Sequence, residues 1–184
     1  MTAGIKGKVV KVTNLKSGGA GSLINALGKK GPKLIVFEVG GFIEGRYNIS
    51  GDVYVAGETA PFPGITIIKG TLGVGGGAVV SHIAVRVGDF RGSPDGVQIG
   101  GKNVVLNHVS ATWGVDETLT LYGADHVTLF KCIIAETLSH SNHKEGEHSK
   151  GNLIWRVCDP VAIIGGLYAH NRMRNPRIAD SRVA

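Results

Sequence analysis

The chain has 184 residues, 42% of them hydrophobic and 18% charged, a globular composition rather than a disordered one. Its formal net charge of +6 favours acidic partners, and the scatter of Lys and Arg along the chain gives no dense nucleic-acid-binding block. No apolar run approaches a membrane span, two cysteines (Cys132 and Cys158) make no disulfide framework, and 29 glycines without a G-X-Y period imply many tight turns rather than collagen.

The predicted elements begin with strand, helix, strand. "KVVKVTNL" (8–15) alternates and is β-branched. In "GSLINALGKKGP" (21–32), Ser22 is the N-cap of a short helix, Leu23, Ile24 and Leu27 supply its apolar face, and Gly28 stops it. "KLIVFEVGG" (33–41) reads as a buried strand. This helix is the one convincing helix in the chain, and it lies where a stack of repeats needs a cap. The expected organisation is one domain over 1–184, with a cap region over 1–33 and coils over 34–184.

Beyond residue 50 the pattern is strand, turn, strand. "VYVAGETAPFPGITIIKG" (53–70) and "TLGVGGG" (71–77) hold short strands. Four tetrapeptides then align: His82-Ile-Ala-Val, His108-Val-Ser-Ala, Cys132-Ile-Ile-Ala and Gly166-Leu-Tyr-Ala. Their spacings are 26, 24 and 34, and the excess of the last falls in "LSHSNHKEGEHSKG". A strand-and-turn period in the mid-twenties excludes a propeller blade and lacks the leucine-rich signature, which leaves a β-helix solenoid. Val104, Leu106, Val127, Leu129, Ile133 and Ile163 are its expected inward residues. Cys132, in an apolar run, reads as a small buried hydrophobe.

Stacked coils place equal registers about 4.8 Å apart. Counting five residues past the last position of each tetrapeptide puts Asp116, His140 and Arg174 on one edge, with Asp116 and Arg174 roughly 10 Å apart over two coils. "DGVQIGG" (95–101) and "ETLTLYG" (117–123) match at a spacing of 22, so Asp95 stacks on Glu117 beside Asp116. Two carboxylates about 5 Å apart repel by roughly 3 kcal/mol at an effective dielectric of 20. They share a proton or a cation, or diverge into solvent. Three carboxylates suit a hard, oxygen-liganded ion such as Ca2+; solvated turn acids are the alternative.

"HSNHKEGEHSKG" (140–151) carries His140, His143 and His148 with Lys144 and Glu145. Its spacing matches no standard zinc pattern, and an insertion of about ten residues into a regular coil is where solenoids keep function. A substrate-binding loop is therefore expected, against a solvated loop. "NRMRNPRIADSR" (171–182) gathers Arg172, Arg174, Arg177 and Arg182. Guanidinium groups bind carboxylates or phosphates bidentately, and no interleaved aromatics support a nucleic-acid surface.

"TWGVDE" (112–117), "HKEGEHSKG" (143–151) and "RNPR" (174–177), in this order, resemble polysaccharide lyase family 1, the pectate lyases. "KVTNLKSGGAGSLINAL" followed by "GPKLIVFEVGG", together with "AGETAP" (56–61), resembles that family's cap and first coils. The resemblance implies a right-handed parallel β-helix that cleaves polygalacturonate by β-elimination outside the cell. It also implies Ca2+ bridging the enzyme and uronate carboxylates, and an arginine that takes the C5 proton. Residue by residue, it assigns Asp95 and Asp116 to calcium with Glu117 beside them, and Arg174 to the base. Lys144 is matched to a lysine that binds or neutralises substrate, and Arg177 to a substrate clamp; should Arg174, with a pKa above about 12, only stabilise charge, Lys144 or a metal-bound hydroxide is the expected base. His140, His143 and His148 are expected to face substrate.

The chain departs from the family at three positions. Ser93 and Thr120 stand where further calcium carboxylates would fall, and Ala179 stands where a substrate arginine would. The opening "MTAGIKGKVVKV" has no apolar leader segment. The chain ends eight residues after Pro176, where resembling proteins continue, so a fragment or a homo-oligomer covering open strand edges is expected. Two other functions compete with the lyase: a non-catalytic β-helix that binds acidic glycan, and an adhesion or tailspike-like module. No nucleic acid or membrane partner is expected.

Overall fold

Short strands dominate because β-branched or leucine residues recur at every second position and turn residues follow within a few positions. The computed structural model describes residues 6–89 and 95–183. Its strands pair in parallel into an 11-stranded and a 6-stranded sheet. The connectivity resolves these into three faces, which successive coils visit in the same order.

The first face stacks Tyr47–Ile49, Leu72–Val74, the start of Val97–Asn107, the start of Glu117–Phe130, Lys150–Trp155 and Arg177–Ile178. On the second lie Lys8–Val12, Lys33–Phe37, Val53–Ala56, Ala78–Ser81, the ends of the two long strands and Val161–Ile164. Gly41–Glu44, Ile65–Ile68, Ile83–Arg86, Ser110–Thr112, Ile133–Ala135 and Leu167–Ala169 form the third. Val97–Asn107 and Glu117–Phe130 run through two faces, which joins those faces into one sheet. The fold is a parallel β-helix, as the repeat implies.

Corners recur as the strands do. His82, His108, Lys131 and Gly165, at one corner, all have φ between 51° and 62°. Trp113, Glu136 and His170, after the third face, have φ of 61°, 54° and 54°. A non-glycine residue in this left-handed region costs about 1–2 kcal/mol. Coil-to-coil bonds offset that cost: the Trp113 N–H donates to Glu136 O at 3.2 Å, and the Glu136 N–H to Ala169 O at 3.0 Å.

The core is the space between the faces. Val104, Leu106, Val127 and Leu129 are at most 1% exposed, and Ile163 packs partly buried against them. Ile133 departs from expectation: it is 40% exposed, and Ile134, at 2%, points inward. The tetrapeptide alignment slips by one residue at this step. Ala111 pairs with Ile134 and Thr112 with Ala135, whereas Val85 with Ala111 and Ala135 with Ala169 pair as read. Side chains alternate faces, so a one-residue slip turns every side chain over. Ile134→Ala is therefore expected to destabilise by about 2–5 kcal/mol, and Ile133→Ala by about 0.5 kcal/mol or less. Urea denaturation of the two variants measures the difference.

The cap helix spans Leu23–Leu27, and the Ser22 hydroxyl accepts the Asn25 N–H at 3.3 Å. Gly28 is its C-cap. Leu23 and Ala26 face inward, while Ile24 is exposed, because positions one apart on a helix do not share a face. Both cysteines are free and buried, and burial pushes the Cys132 thiol up to about 11. Among the described residues no helix is long and apolar enough to cross a membrane.

Candidate functional site

The spacing of 22 brings the acids together. Val97 pairs with Leu119 and Gln98 with Thr120, so Asp95 stacks on Glu117. The Glu117 N–H donates to Asp95 Oδ1 at 3.3 Å. One oxygen from each of Asp95, Asp116 and Glu117 lies within 4.8 Å of the others. Burial pushes the Asp95 carboxyl above the usual carboxylate range; Thr120, Gln98 and Arg174 pull it down, and Asp116 pushes it further up. Thr120 Oγ1 is buried without a hydrogen-bond partner of good geometry, and Thr120 lines the same hollow as Asp95. Three carboxylates, with the Thr120 hydroxyl beside them, form an all-oxygen donor set, which fits a hard cation such as Ca2+.

Arg174 reaches this cluster from the coils beyond. The Asn152 N–H donates to Arg174 O at 2.6 Å, and the Gly151 N–H to Met173 O at 3.0 Å. The approach requires glycine at 151, where a Cβ would stand 2.6 Å from the Arg174 carbonyl. Arg174 itself is held in the left-handed region, at φ 62°. The expected gap of two coils is bridged by the length of its side chain: the Arg174 guanidinium forms an ion pair directly with Glu117, and both side chains are largely buried. Burial and then the Arg177 charge lower the Arg174 pKa, while Asp116 and Asp95 raise it. Arg174 Nε is buried without a partner.

The loop after Ala135 turns its histidines onto Asp116 rather than outward. His148, at 3% side-chain exposure, places Nε2 2.7 Å from Asp116 Oδ1. His143 Nε2 lies 3.8 Å from Asp116 Oδ2. The two rings stack at 3.6 Å between centroids. The loop is fastened on both sides: the Asn142 N–H donates to Asp89 Oδ1 at 2.9 Å, and Arg172 pairs with Glu147 at 2.9 Å. His140 is exposed, outside this cluster. The slip at Ile134 removes it from the edge it was expected to share with Asp116 and Arg174. Lys144 is also exposed, and the lysine that meets the acids is Lys150, 3.7 Å from Asp116 Oδ1. Lys150 stands opposite Glu117 in the strand register, a position that pairing "KGNLIW" with "ETLTLY" reveals.

Two hollows open on the outer side of the first face. One, of ≈ 370 Å³, is lined by Asp95, Gln98, Ile99, Gly100, Thr120 and Tyr122. The other, of ≈ 200 Å³, is lined by Leu153, Trp155, Arg174, Arg177 and Ala179. Tyr122 and Trp155 are register partners on adjacent strands and meet edge to face at 5.4 Å, so the hollows adjoin across this aromatic pair. Arg156 sits 5.1 Å over Tyr122. A groove thus runs across the coils from the carboxylates to the arginines. The same pairing of "ETLTLY" with "KGNLIW" reveals the aromatic step. Thr120 and Ala179 line opposite ends of the groove, and Ser93 lies outside the described residues.

The chain is similar in sequence to fungal proteins along nearly its whole length. It is 36% identical over 182 residues to "Probable pectate lyase C" of Aspergillus flavus, covering 95% of this chain and 41% of that protein. To the protein of the same name from Emericella nidulans it is 37% identical over 179 residues, covering 94% of this chain and 40% of that one. The chain therefore spans about two-fifths of the length of these relatives. No protein-family model matches it. In structure it is similar to Jun a 1, the major allergen from cedar pollen, with a TM-score of 0.71 at 14% identity, over 98% of this chain and 59% of that one. That likeness is one of fold.

Proposed function

We propose that this chain, a relative of the pectate lyases, cleaves polygalacturonate, the acidic backbone of pectin, by calcium-assisted β-elimination. The observation that carries the reading is the placement of Arg174 against Asp95, Asp116 and Glu117 at the joint of a two-part groove. A plain hydrolase would need two carboxyl groups on opposite sides of the scissile bond, and here the bank facing the acids is arginine. The polymer lies across the coils, over Tyr122 and Trp155, with Arg177 gripping a uronate carboxylate through paired N–H donors.

Asp95, Asp116 and Glu117 would hold the calcium, which when bound would neutralise the uronate carboxylate and acidify the hydrogen on C5. Arg174 takes that proton. The C5–H electron pair forms the C4–C5 double bond, the C4–O bond breaks, and the departing oxygen is protonated. No water is consumed. Arginine serves as a base only when its pKa is brought down, and burial and Arg177 act in that direction. The ion pair with Glu117 favours the charged guanidinium, so Arg174 would act as the base only with Glu117 turned away from it. The substrate is a cell-wall polymer, and the chain acts on it outside the cell.

The Glu117–Arg174 pair also favours a second reading, an acidic-glycan-binding β-helix in which Arg174 stays protonated and only binds. The discriminating experiment incubates the chain with polygalacturonate and calcium and follows the ultraviolet absorbance of a carbon–carbon double bond conjugated to a carboxylate. The lyase gives a rising signal; the binding module retains polymer without one. Trp155→Ala is expected to raise KM about three- to tenfold with kcat little changed, the loss of one aromatic contact made equally in ground and transition states. Initial rates over a range of polymer concentrations measure the split.

A further inference from the structure

Asp116 belongs to a second cluster that the elimination does not use. One ligand atom from each of Asp116, His143 and His148 lies within 4.8 Å of the others, so this set offers two imidazole nitrogens and one carboxylate oxygen. We propose that it is a binding site for a borderline transition-metal ion of the zinc class, distinct in donor chemistry from the all-oxygen cluster on the other side of Asp116. Imidazole donors select zinc, nickel, cobalt or copper over calcium, and three protein ligands with a fourth position open is an ordinary zinc arrangement.

Several features beyond the ligand count support it. His148 is buried, and its far nitrogen, Nδ1, lies 3.8 Å from Glu145 Oε2, a gap that a small shift of the exposed Glu145 side chain closes; a carboxylate hydrogen-bonded behind a ligating histidine orients the ring and raises its basicity. The loop geometry delivers both rings to one point: the Gly146 N–H donates to His143 O at 2.9 Å, and the His148 N–H to Ser139 O at 3.1 Å. The rings stack at 3.6 Å with their planes 26° apart, so their in-plane lone pairs run nearly side by side, and the His143 ring must swing out of the stack for both nitrogens to face one ion.

Coordination requires three further adjustments: the His148 Nε2 to Asp116 Oδ1 hydrogen bond, at 2.7 Å, opens to admit the ion, with the ring proton moved to Nδ1, and two neighbouring contacts give way. Lys150, now 3.7 Å from Asp116 Oδ1, withdraws, as a long flexible side chain can. His143 Nδ1 accepts the Glu145 N–H at 3.2 Å, and the ring gives up that exposed turn bond to present Nε2 without its proton. Because Asp116 is common to both sets, an ion here draws it away from Asp95 and Glu117. The site itself rests on this geometry alone and stands or falls separately from the lyase reading.

The test is titration of the full chain with Zn2+ by calorimetry and with Co2+ by its visible absorption, which intensifies in a low-coordinate nitrogen and oxygen site. One ion per chain is expected. His143→Ala and His148→Gln should each weaken binding at least tenfold, and His140→Ala, which removes an exposed histidine of the same loop, should leave it unchanged. Circular dichroism checks that each variant is folded; if His148→Gln is not, His143→Ala alone decides. Absence of binding, or binding that survives His143→Ala or is lost with His140→Ala, would overturn the proposal.

Discussion

Arg174→Ala is expected to abolish elimination while leaving the coil intact. General-base catalysis contributes about 10²–10⁴-fold, so kcat should fall by about that factor in the absorbance assay with polygalacturonate and calcium. Arg174→Lys keeps the charge but not the guanidinium fork, and should recover binding more than rate. The size of the effect on kcat relative to KM carries the information. If Arg174 only grips the polymer, its loss raises KM and spares kcat. A flat trace from the folded wild-type chain would reject catalysis by this chain and leave the glycan-binding reading.

Glu117 sharpens the same experiment, because its carboxylate is the ion-pair partner of Arg174. Glu117→Gln removes that partner and one candidate calcium oxygen together. If release of Arg174 is what limits the base, the variant at saturating calcium should exceed the wild-type rate. If Glu117 matters only as a ligand, added calcium restores the full rate.

The fold was legible in the chain because a solenoid repeats its local rules. The 22-residue match between "DGVQIGG" and "ETLTLYG" is the observed register from Val97 to Ile99, and it gives way to 23 at Gly101; the strand residues of that stretch carry the pattern. The third face was harder to align. Its strands are short and carry apolar residues on both sides, as in Cys132-Ile-Ile-Ala, so two registers a residue apart satisfy the pattern equally well. The left-handed corner residue at Lys131 decides between them, and backbone conformation does not show in composition.

That single slip explains which site residues could be placed from sequence. Asp95, Asp116 and Glu117 come together through the legible first face. Arg174 lies beyond the slip and beyond the loop, and reaches Glu117 through side-chain length rather than coil spacing. His140 was positioned by the slipped count and stands in solvent, whereas His148 folds back onto Asp116 through loop turns that no repeat encodes. Lys150 and Trp155 needed only the strand after the loop to be set against Glu117 and Tyr122, and the insertion hid that match by changing the spacing from the mid-twenties to 33.

Calcium should stabilise the chain through Asp116, and the pH dependence of that stability should carry the signature of Asp95. An ion that binds only the folded state at one hundred times its Kd adds about 2.7 kcal/mol, which for a chain of this size raises Tm by roughly 5–10 °C. Asp116→Asn should remove most of that rise. Without calcium, Asp95 works in the opposite sense. Its folded pKa is raised, by burial first, so the folded state holds the proton more tightly than the unfolded chain. The stability this contributes is fully present below the unfolded carboxylate value, about 3.9, and is lost as pH rises through the folded pKa. At neutral pH the calcium-free chain thus carries a half-buried carboxylate whose charge costs stability. Asp95→Asn should raise the calcium-free Tm at pH 7, narrow its advantage as pH falls toward 4, and abolish the gain from calcium. Thermal melts of wild type and variant, with calcium and with chelator, at several pH values, measure all three. A calcium-free variant no more stable than wild type at pH 7 would mean that the Glu117 N–H and the nearby arginine already compensate the Asp95 charge. A calcium gain that survives in both variants would place the ion elsewhere.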